Sequence, residues 1–311
     1  MIKDFKTGTN ISNEILYCVS KKSGISIKGD EYLSVVFRDS SGTIDAKVWD
    51  INEYTSNFNE KDFVSVSGNV STYKDSLQLV INRAEVVSKD SVFMEDFCPK
   101  CPIDIDILVN RLNVLIDDIS NSNLKSLLKL IFDNEKLFTK YITNSAAKSV
   151  HHAYMGGLLE HSVTVAEVCK NMSILYPVVN KDLVVTAALL HDIGKLKELS
   201  SFPDNDYTDD GQLLGHIYMG TEMIEFYARK IDNFPRTLLN QLKHCVLAHH
   251  GKLEYGSPVV PHLIEAMLLS IADDADAKLR RFSDVLDEVE PGKWSDKNDF
   301  FLNTRYRHTI I

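Results

Sequence analysis

Metal-seeking side chains recur through the second half of this 311-residue chain, each at or near the end of an apolar stretch. They are His161, the pair His191-Asp192, His216, the pair His249-His250, and an Asp within Ala272-Asp273-Asp274-Ala275-Asp276. His191-Asp192 closes the run Leu183-Val184-Val185-Thr186-Ala187-Ala188-Leu189-Leu190 and precedes Ile193-Gly194-Lys195. An imidazole and a carboxylate at the end of so apolar a segment need an interior partner. A divalent metal ion is such a partner, because it takes neutral imidazole and ionised carboxylate as they stand.

Helical spacing says where these groups point. His161, Val165, Val168, Met172 and Leu175 follow at steps of 4, 3, 4 and 3, which puts His161 on the buried face of a helix over 157–176. His249 shares a face with Leu238, Leu242 and Cys245, and His250 with Leu239 and Val246. Asp273 (with Asp274 as the neighbouring alternative) shares one with Ala266, Ser270 and Ala277, all small enough to let an ion approach. A single inward His is more often a hydrogen-bonded core residue. Several of them on separate helices, with His-Asp and His-His pairs, point to one metal site.

One ion takes about three or four side chains, and more than that are present. Asp192 could bridge two ions about 3.5–4 Å apart, as in many phosphoesterases. His161, His191, Asp192 and Asp273 would hold one, and Asp192, His216, His249 and His250 the other. A nitrogen and oxygen set without thiolate favours Mn²⁺, Fe²⁺, Co²⁺, Ni²⁺ or Zn²⁺ over Mg²⁺ or Ca²⁺, without choosing among the five. Such a pair suits phosphodiester hydrolysis, since coordination lowers the pKa of water from about 15.7 towards 7 and the ions neutralise phosphoryl oxygens. Asp192 and Lys195 are the catalytic candidates. Lys195 would neutralise phosphate; its bland alternative is a solvated cation at a helix end. His244, His262 and His308 read as structural.

The elements in front of this site have another period. Over residues 1–90, Leu33-Ser34-Val35-Val36-Phe37 and Ile44-Asp45-Ala46-Lys47-Val48-Trp49 alternate with period two around the turn Asp39-Ser40-Ser41-Gly42. Phe63 to Val70 and Leu77 to Ile81 alternate around Lys74-Asp75-Ser76, and Ile15 to Val19 leads them. Five strands, with a helical piece near 50–58 between the third and fourth, is the layout of an OB-fold barrel. The bland alternative is a barrel that only packs or dimerises. OB-folds commonly stack single-strand bases on exposed aromatics over a basic groove. Ile44, Ala46 and Val48 take one face of the third strand, so Lys47 and Trp49 take the other. Tyr32, Arg38, Tyr73 and Lys74 are further binding candidates.

Residues 91–102 read as a linker. Its Cys98-Pro99-Lys100-Cys101 could be half a zinc site, but no second pair completes four ligands, so it reads as incidental. Residues 103–311 are helical by period. Ile107, Leu108, Leu112, Leu115, Ile116 and Ile119 form one stripe and Leu124, Leu127, Leu128 and Ile131 the next, followed by helices over 157–176, 181–192, 215–231, 235–250 and 259–288. Gly251 reads as a C-terminal cap. The expected fold is multidomain: a small all-β barrel followed by an all-α domain.

Formal charge is −10, which argues against an overall basic nucleic-acid coat. Residues 1–90 hold eleven basic and thirteen acidic side chains, leaving twenty-three against thirty-one for the remainder, so the acidity lies mostly in the metal-bearing half. No window reaches the roughly 18 apolar residues of a membrane span, and Met1-Ile2-Lys3-Asp4-Phe5-Lys6 lacks the apolar core of a signal peptide. Five cysteines give no even disulfide framework, so a cytoplasmic protein without membrane partners is expected.

His161, His191-Asp192 and Asp273 together resemble the signature of the HD superfamily of metal-dependent phosphohydrolases, and His216 and His249-His250-Gly251 resemble its two-metal branch. Ala146-Ala147-Lys148-Ser149-Val150-His151-His152, Gly156-Gly157-Leu158-Leu159-Glu160-His161 and Ala188-Leu189-Leu190-His191-Asp192-Ile193-Gly194-Lys195 resemble the YhaM-type 3′→5′ exoribonucleases. Those carry an OB-fold before an HD domain, so the resemblance spans nearly the whole chain, least clearly after about Val289. It implies an exonuclease that releases nucleoside monophosphates from single-stranded RNA, with single-stranded DNA as a second candidate substrate. It also suggests Lys148 and His152 as substrate-side residues. The nearest enzymatic alternative is an HD phosphodiesterase acting on a small or cyclic nucleotide. The non-enzymatic one is a single-strand-binding module, which the complete ligand set disfavours.

Overall fold

The period-two segments form five strands: β1 (Asn10–Ile25), β2 (Glu31–Asp39), β3 (Gly42–Val48), β4 (Phe63–Tyr73) and β5 (Ser76–Val87). They close a barrel in the order β1-β2-β3-β5-β4, every pair antiparallel except β3 with β5. Alternation works as expected: Leu33, Val35 and Phe37 of β2 meet Ile44, Ala46 and Val48 of β3 inside the barrel. The computed structural model describes residues 1–74, 76–148, 152–296 and 304–310. Asp75, in the expected β4–β5 turn, lies outside them.

β1 is much longer than the expected 15–19. Its first half pairs with β4 and its second half with β2, and the register slips between Cys18 and Ser20. Such a bulge breaks the alternation that would have revealed the strand. The helical insert is a single turn, α1 (Glu53–Ser56), inside the expected 50–58 and capped by Asn52.

The chain divides into one unit of Met1–Lys100 with Ser201–Asn205 and another of Cys101–Ser200 with Asp206–Ile311. In the first, Asp204 accepts hydrogen bonds from the Tyr17 hydroxyl and Lys61, and Arg38 donates to the Pro203 carbonyl (3.2 Å).

The second unit holds α2 (Ile105–Asp117), α3 (Ser122–Phe132), α4 (Glu135–Thr143), α5 (Gly157–Leu175), α6 (Lys181–Leu190), α7 (Lys195–Glu198), α8 (Asp209–Ala228), α9 (Arg236–Leu247) and α10 (Ile264–Leu286). The sequence pattern places neither α4 nor α7. In the α2 stripe, Leu108, Leu112, Leu115 and Ile116 are buried but Ile107 faces out. The α5 stripe likewise holds at His161 and Val165 and fails at Leu175, which is exposed. All eight residues from Leu183 to Leu190 are buried, and the hydroxyl of buried Tyr141 donates to the Leu189 carbonyl (2.9 Å), tying down the last turn of α6. No helix among the described residues is long and apolar enough to cross a membrane.

Candidate metal centre

His191 is the C-cap of α6 and Asp192 follows it, 0% and 2% exposed. α5 packs beside α6 and brings in His161, 2% exposed. Asp273 comes from α10, with its Oδ1 3.2 Å from His161 Nε2. Asp274 instead turns outward to Lys278 (2.6 Å).

Two glycines deliver His216. Gly194 lies so close to α8 that a Cβ there would sit 1.9 Å from the His216 carbonyl oxygen. At Gly215 the backbone turns to φ 72° and ψ 154°, which breaks α8 and starts a second helical segment at His216. The expected start at 215 therefore marks this kink, and the helix begins earlier, at Asp209. Glu198 Oε1 accepts both the His216 backbone N–H and its Nδ1–H, each at 2.9 Å. α9 ends at Leu247, short of the expected 250, so His249 and His250 lie just beyond it. Their Nδ1 atoms donate to the carbonyls of Val246 (2.7 Å) and Tyr255 (2.8 Å).

These contacts fix the tautomers. A carbonyl only accepts, so His191 (Nδ1 to Ala188 O, 2.7 Å), His249 and His250 carry a proton on Nδ1, leaving Nε2 as the ligand atom. The Nε2 atoms of His161 and His191 are 3.1 Å apart and lie 3.5 and 3.4 Å from Asp192 Oδ2. Asp192 Oδ1 faces the other way, 3.5 Å from His216 Nε2 and 3.7 Å from His249 Nε2. The structure thus brings His161, His191 and Asp273 to one side of Asp192, and His216, His249 and His250 to the other.

The donor set fits a pair of ions. Asp192 Oδ1, His216 Nε2 and His249 Nε2 are buried without a hydrogen-bond partner among the described residues, which such atoms rarely tolerate. With bonds of about 2.0–2.2 Å, ligands of one ion sit roughly 3–3.5 Å apart, close to the separations seen. Burial pushes the His161 pKa down, but hydrogen bonds to Asp273 and Asp276 outweigh it and lift it to about 10, whereas burial and the neighbouring imidazoles hold His249 well below the usual value. Burial also opposes ionisation of Asp192, yet Lys195 and His191 hold its carboxyl well below the usual range.

Lys195 starts α7 and is only 15% exposed, its Nζ 2.7 Å from Asp192 Oδ2, so it is no solvated helix-end cation. Lys195, Lys148, Tyr207, Tyr255 and Ser270 line a cleft of about 440 Å³ with His161, Asp192, His216, His249, His250 and Asp273. Lys148 pairs with Asp206 (2.5 Å) at its rim. His152 does not face the cleft. It is 2% exposed, and its Nε2 contacts Asp276 Oδ2 (2.8 Å), so the substrate-side role expected for it is corrected to an internal one. Ser149, Val150 and His151 lie outside the described residues. Glu198 and Asp276 escape a reading of the sequence; the only signal is Asp276's place in the Asp-rich run.

Gly194→Ala is expected to test this packing. The added Cβ must push α8 away, destabilising the protein by about 1–3 kcal/mol and displacing His216. Thermal unfolding and metal content should fall together; a variant with unchanged metal content would detach His216 from the site.

On the barrel, Tyr32, Lys47 and Trp49 form one group. The Tyr32 and Trp49 rings lie 5.1 Å apart, Lys47 Nζ sits 4.5 Å from the Tyr32 ring centre, and Trp49 is 52% exposed. The Tyr32 ring covers Gly24 on β1, where a Cβ would come within 2.6 Å of it. Arg38, on the same strand as Tyr32, donates one guanidinium N–H to the Pro203 carbonyl (3.2 Å). Tyr73 and Lys74 are at the separate β4–β5 tip, Lys74 Nζ 5.5 Å from the Tyr73 ring centre.

Comparison with known proteins defines the two parts. Residues 158–278 match the HD domain family, and residues 19–87 match the OB-fold nucleic acid binding domain family. The chain therefore carries an HD domain, the domain of metal-dependent phosphohydrolases, behind an OB-fold. Similar solved structures include the second OB-fold domain of replication protein A from Methanococcus maripaludis, at 19% identity and TM-score 0.22, covering 30% of this chain and 97% of that one. The mitochondrial single-stranded DNA binding protein Rim1 of S. cerevisiae is 16% identical with TM-score 0.22, over 27% of this chain and 98% of that one. An aspartyl tRNA synthetase from Entamoeba histolytica is 9% identical with TM-score 0.20, over 54% of this chain and 35% of that one.

Proposed function

We propose that the protein is a two-metal 3′→5′ exoribonuclease that degrades single-stranded RNA to nucleoside monophosphates, with single-stranded DNA as a second substrate. The observation that carries this reading is Asp192, whose two oxygens face two separate groups of imidazoles beside a buried lysine. His161, His191, Asp192 and Asp273 would hold one ion and Asp192, His216, His249 and His250 the other, with Mn²⁺ as the leading choice. When bound, the ions supply Lewis acidity and an acidified water for phosphodiester hydrolysis. Lys195 offers its ammonium to the phosphate. Burial works against its charge, but Asp192 outweighs this and keeps its pKa above the ordinary lysine value. Lys148, paired with Asp206 at the rim, would exchange that carboxylate for the next phosphate. Tyr32, Lys47 and Trp49 offer the strand a stacking surface with a cation. The 3′→5′ direction and the preference for RNA rest on the resemblance of the segments 146–161 and 188–195.

The test is a 5′-labelled and a 3′-labelled RNA oligomer incubated with the protein and Mn²⁺. Shortening from the 3′ end with mononucleotide products is expected. Activity on cyclic dinucleotides alone would favour a small-nucleotide phosphodiesterase, and binding without cleavage a single-strand-binding module. The barrel's share is tested by replacing Tyr32 and Trp49 with Ala together. Each stacked base contributes about 1–3 kcal/mol, so the apparent KM for a long strand should rise about tenfold or more. Hydrolysis of bis-p-nitrophenyl phosphate should be unchanged. An unaltered KM for RNA would remove this face from substrate binding.

A further inference from the structure

All five imidazoles of the centre are held from behind through Nδ1, but not by the same kind of group. His191, His249 and His250 are held by main-chain carbonyls. His161 and His216 are held by carboxylates, Asp276 Oδ2 at 2.7 Å and Glu198 Oε1 at 2.9 Å. These two histidines lie on opposite sides of Asp192, so each group of ligands contains one carboxylate-backed imidazole. A carbonyl fixes a ring without adding net charge. A carboxylate also makes the far nitrogen a stronger ligand and adds negative charge behind it.

Both carboxylates are themselves fixed. Asp276 is 9% exposed, and its Oδ2 also accepts from His152 Nε2 at 2.8 Å. His152 is steadied in turn by the Tyr154 hydroxyl, 2.9 Å from its Nδ1. Glu198 Oε1 is fixed by the two N–H groups of His216.

We propose that Asp276 and Glu198 are positioning residues, one for each ion, which set the affinities of the two ion positions separately. This rests on the two-ion reading above. His152, His161 and Asp276 also have the composition of a third ion site, but their atoms are already joined at 2.7 and 2.8 Å as hydrogen bonds. A His161 Nδ1 that donates to Asp276 has no lone pair for an ion.

The experiment is calorimetric titration of Mn²⁺ into the metal-stripped full-length protein at fixed pH, with thermal unfolding to verify folding. The wild type should bind two ions. Asp276→Asn should weaken one of them about 10–100-fold and Glu198→Gln the other by a similar factor. Double variants identify which. In a His216→Ala background Asp276→Asn should keep its effect and Glu198→Gln should add none; in a His161→Ala background the pattern should reverse. A merely structural role would give the same loss in both backgrounds and would overturn the proposal. So would wild-type affinity for both ions in folded single variants, or a third ion lost on changing Asp276. Should Asp276→Asn fail to fold, His152 makes the same distinction. His152→Gln can still donate to Asp276, whereas His152→Asn suits the backbone there (φ 55°) but is too short to reach it. Only His152→Asn should weaken the His161-side ion; equal affinities in the two variants would overturn the assignment of Asp276. A wild type that binds no Mn²⁺ would instead sink the site reading itself.

Discussion

Replacing Asp192 with Asn is expected to lower phosphodiester hydrolysis about a thousandfold or more while leaving the helical unit folded. The charge lost faces both ion positions at once, since Oδ2 lies beside His161 and His191 and Oδ1 beside His216 and His249. Several kcal/mol of charge stabilisation depend on it, and about 4 kcal/mol is roughly a thousandfold in rate. Asn is nearly isosteric, and its oxygen still accepts from Lys195 Nζ, now 2.7 Å away, so the buried ammonium keeps a partner. Metal content and turnover should drop together. Both remaining near wild type would remove Asp192 from the centre.

The second large effect concerns the number of ions. If one ion sat among His161, His191, Asp192 and Asp273, then His216 and His249 would be bystanders and their Ala variants active. With two ions, His216→Ala and His249→Ala should each nearly abolish turnover, while elemental analysis finds about half of the bound metal. Both nitrogens are buried and lack a hydrogen-bond partner among the described residues, and that is the reason to expect the severe outcome. Full metal occupancy in the two variants would count decisively against a second ion.

What could be read from the chain followed a simple rule. His161, His191 and Asp192 were legible because a polar group inside an apolar run needs a reason. The barrel was legible wherever β2 and β3 alternate, and in β1 only over residues 15–19, because a bulge changes the phase along that strand. Helix ends were misplaced where the backbone departs from the pattern: at Gly215, whose positive φ interrupts α8, and after Leu247, where α9 stops before its two histidines. The roles of Asp276 and Glu198 were hidden for another reason. Their partners are 115 and 18 residues away, and only the packing of helices says which carboxylate stands behind which ring. Lys195 shows the same limit. Its spacing allowed a solvated cation, and only the 2.7 Å approach to Asp192 decides against it.

The discontinuous make-up of the first unit bears on how the chain is made. The barrel strands end at Val87, yet Pro203 and Asp204, which satisfy Arg38, Lys61 and Tyr17, come more than a hundred residues later. During synthesis the barrel's own strands emerge first, with the Tyr17 hydroxyl and the Arg38 guanidinium still facing water. At about 5–20 residues per second, the completed set of strands waits roughly 6–23 seconds for Pro203 and Asp204. Throughout that interval the segment carrying His161, His191 and Asp192 is also emerging. The last bonds of the first unit therefore close only after the centre's first three side chains have left the ribosome.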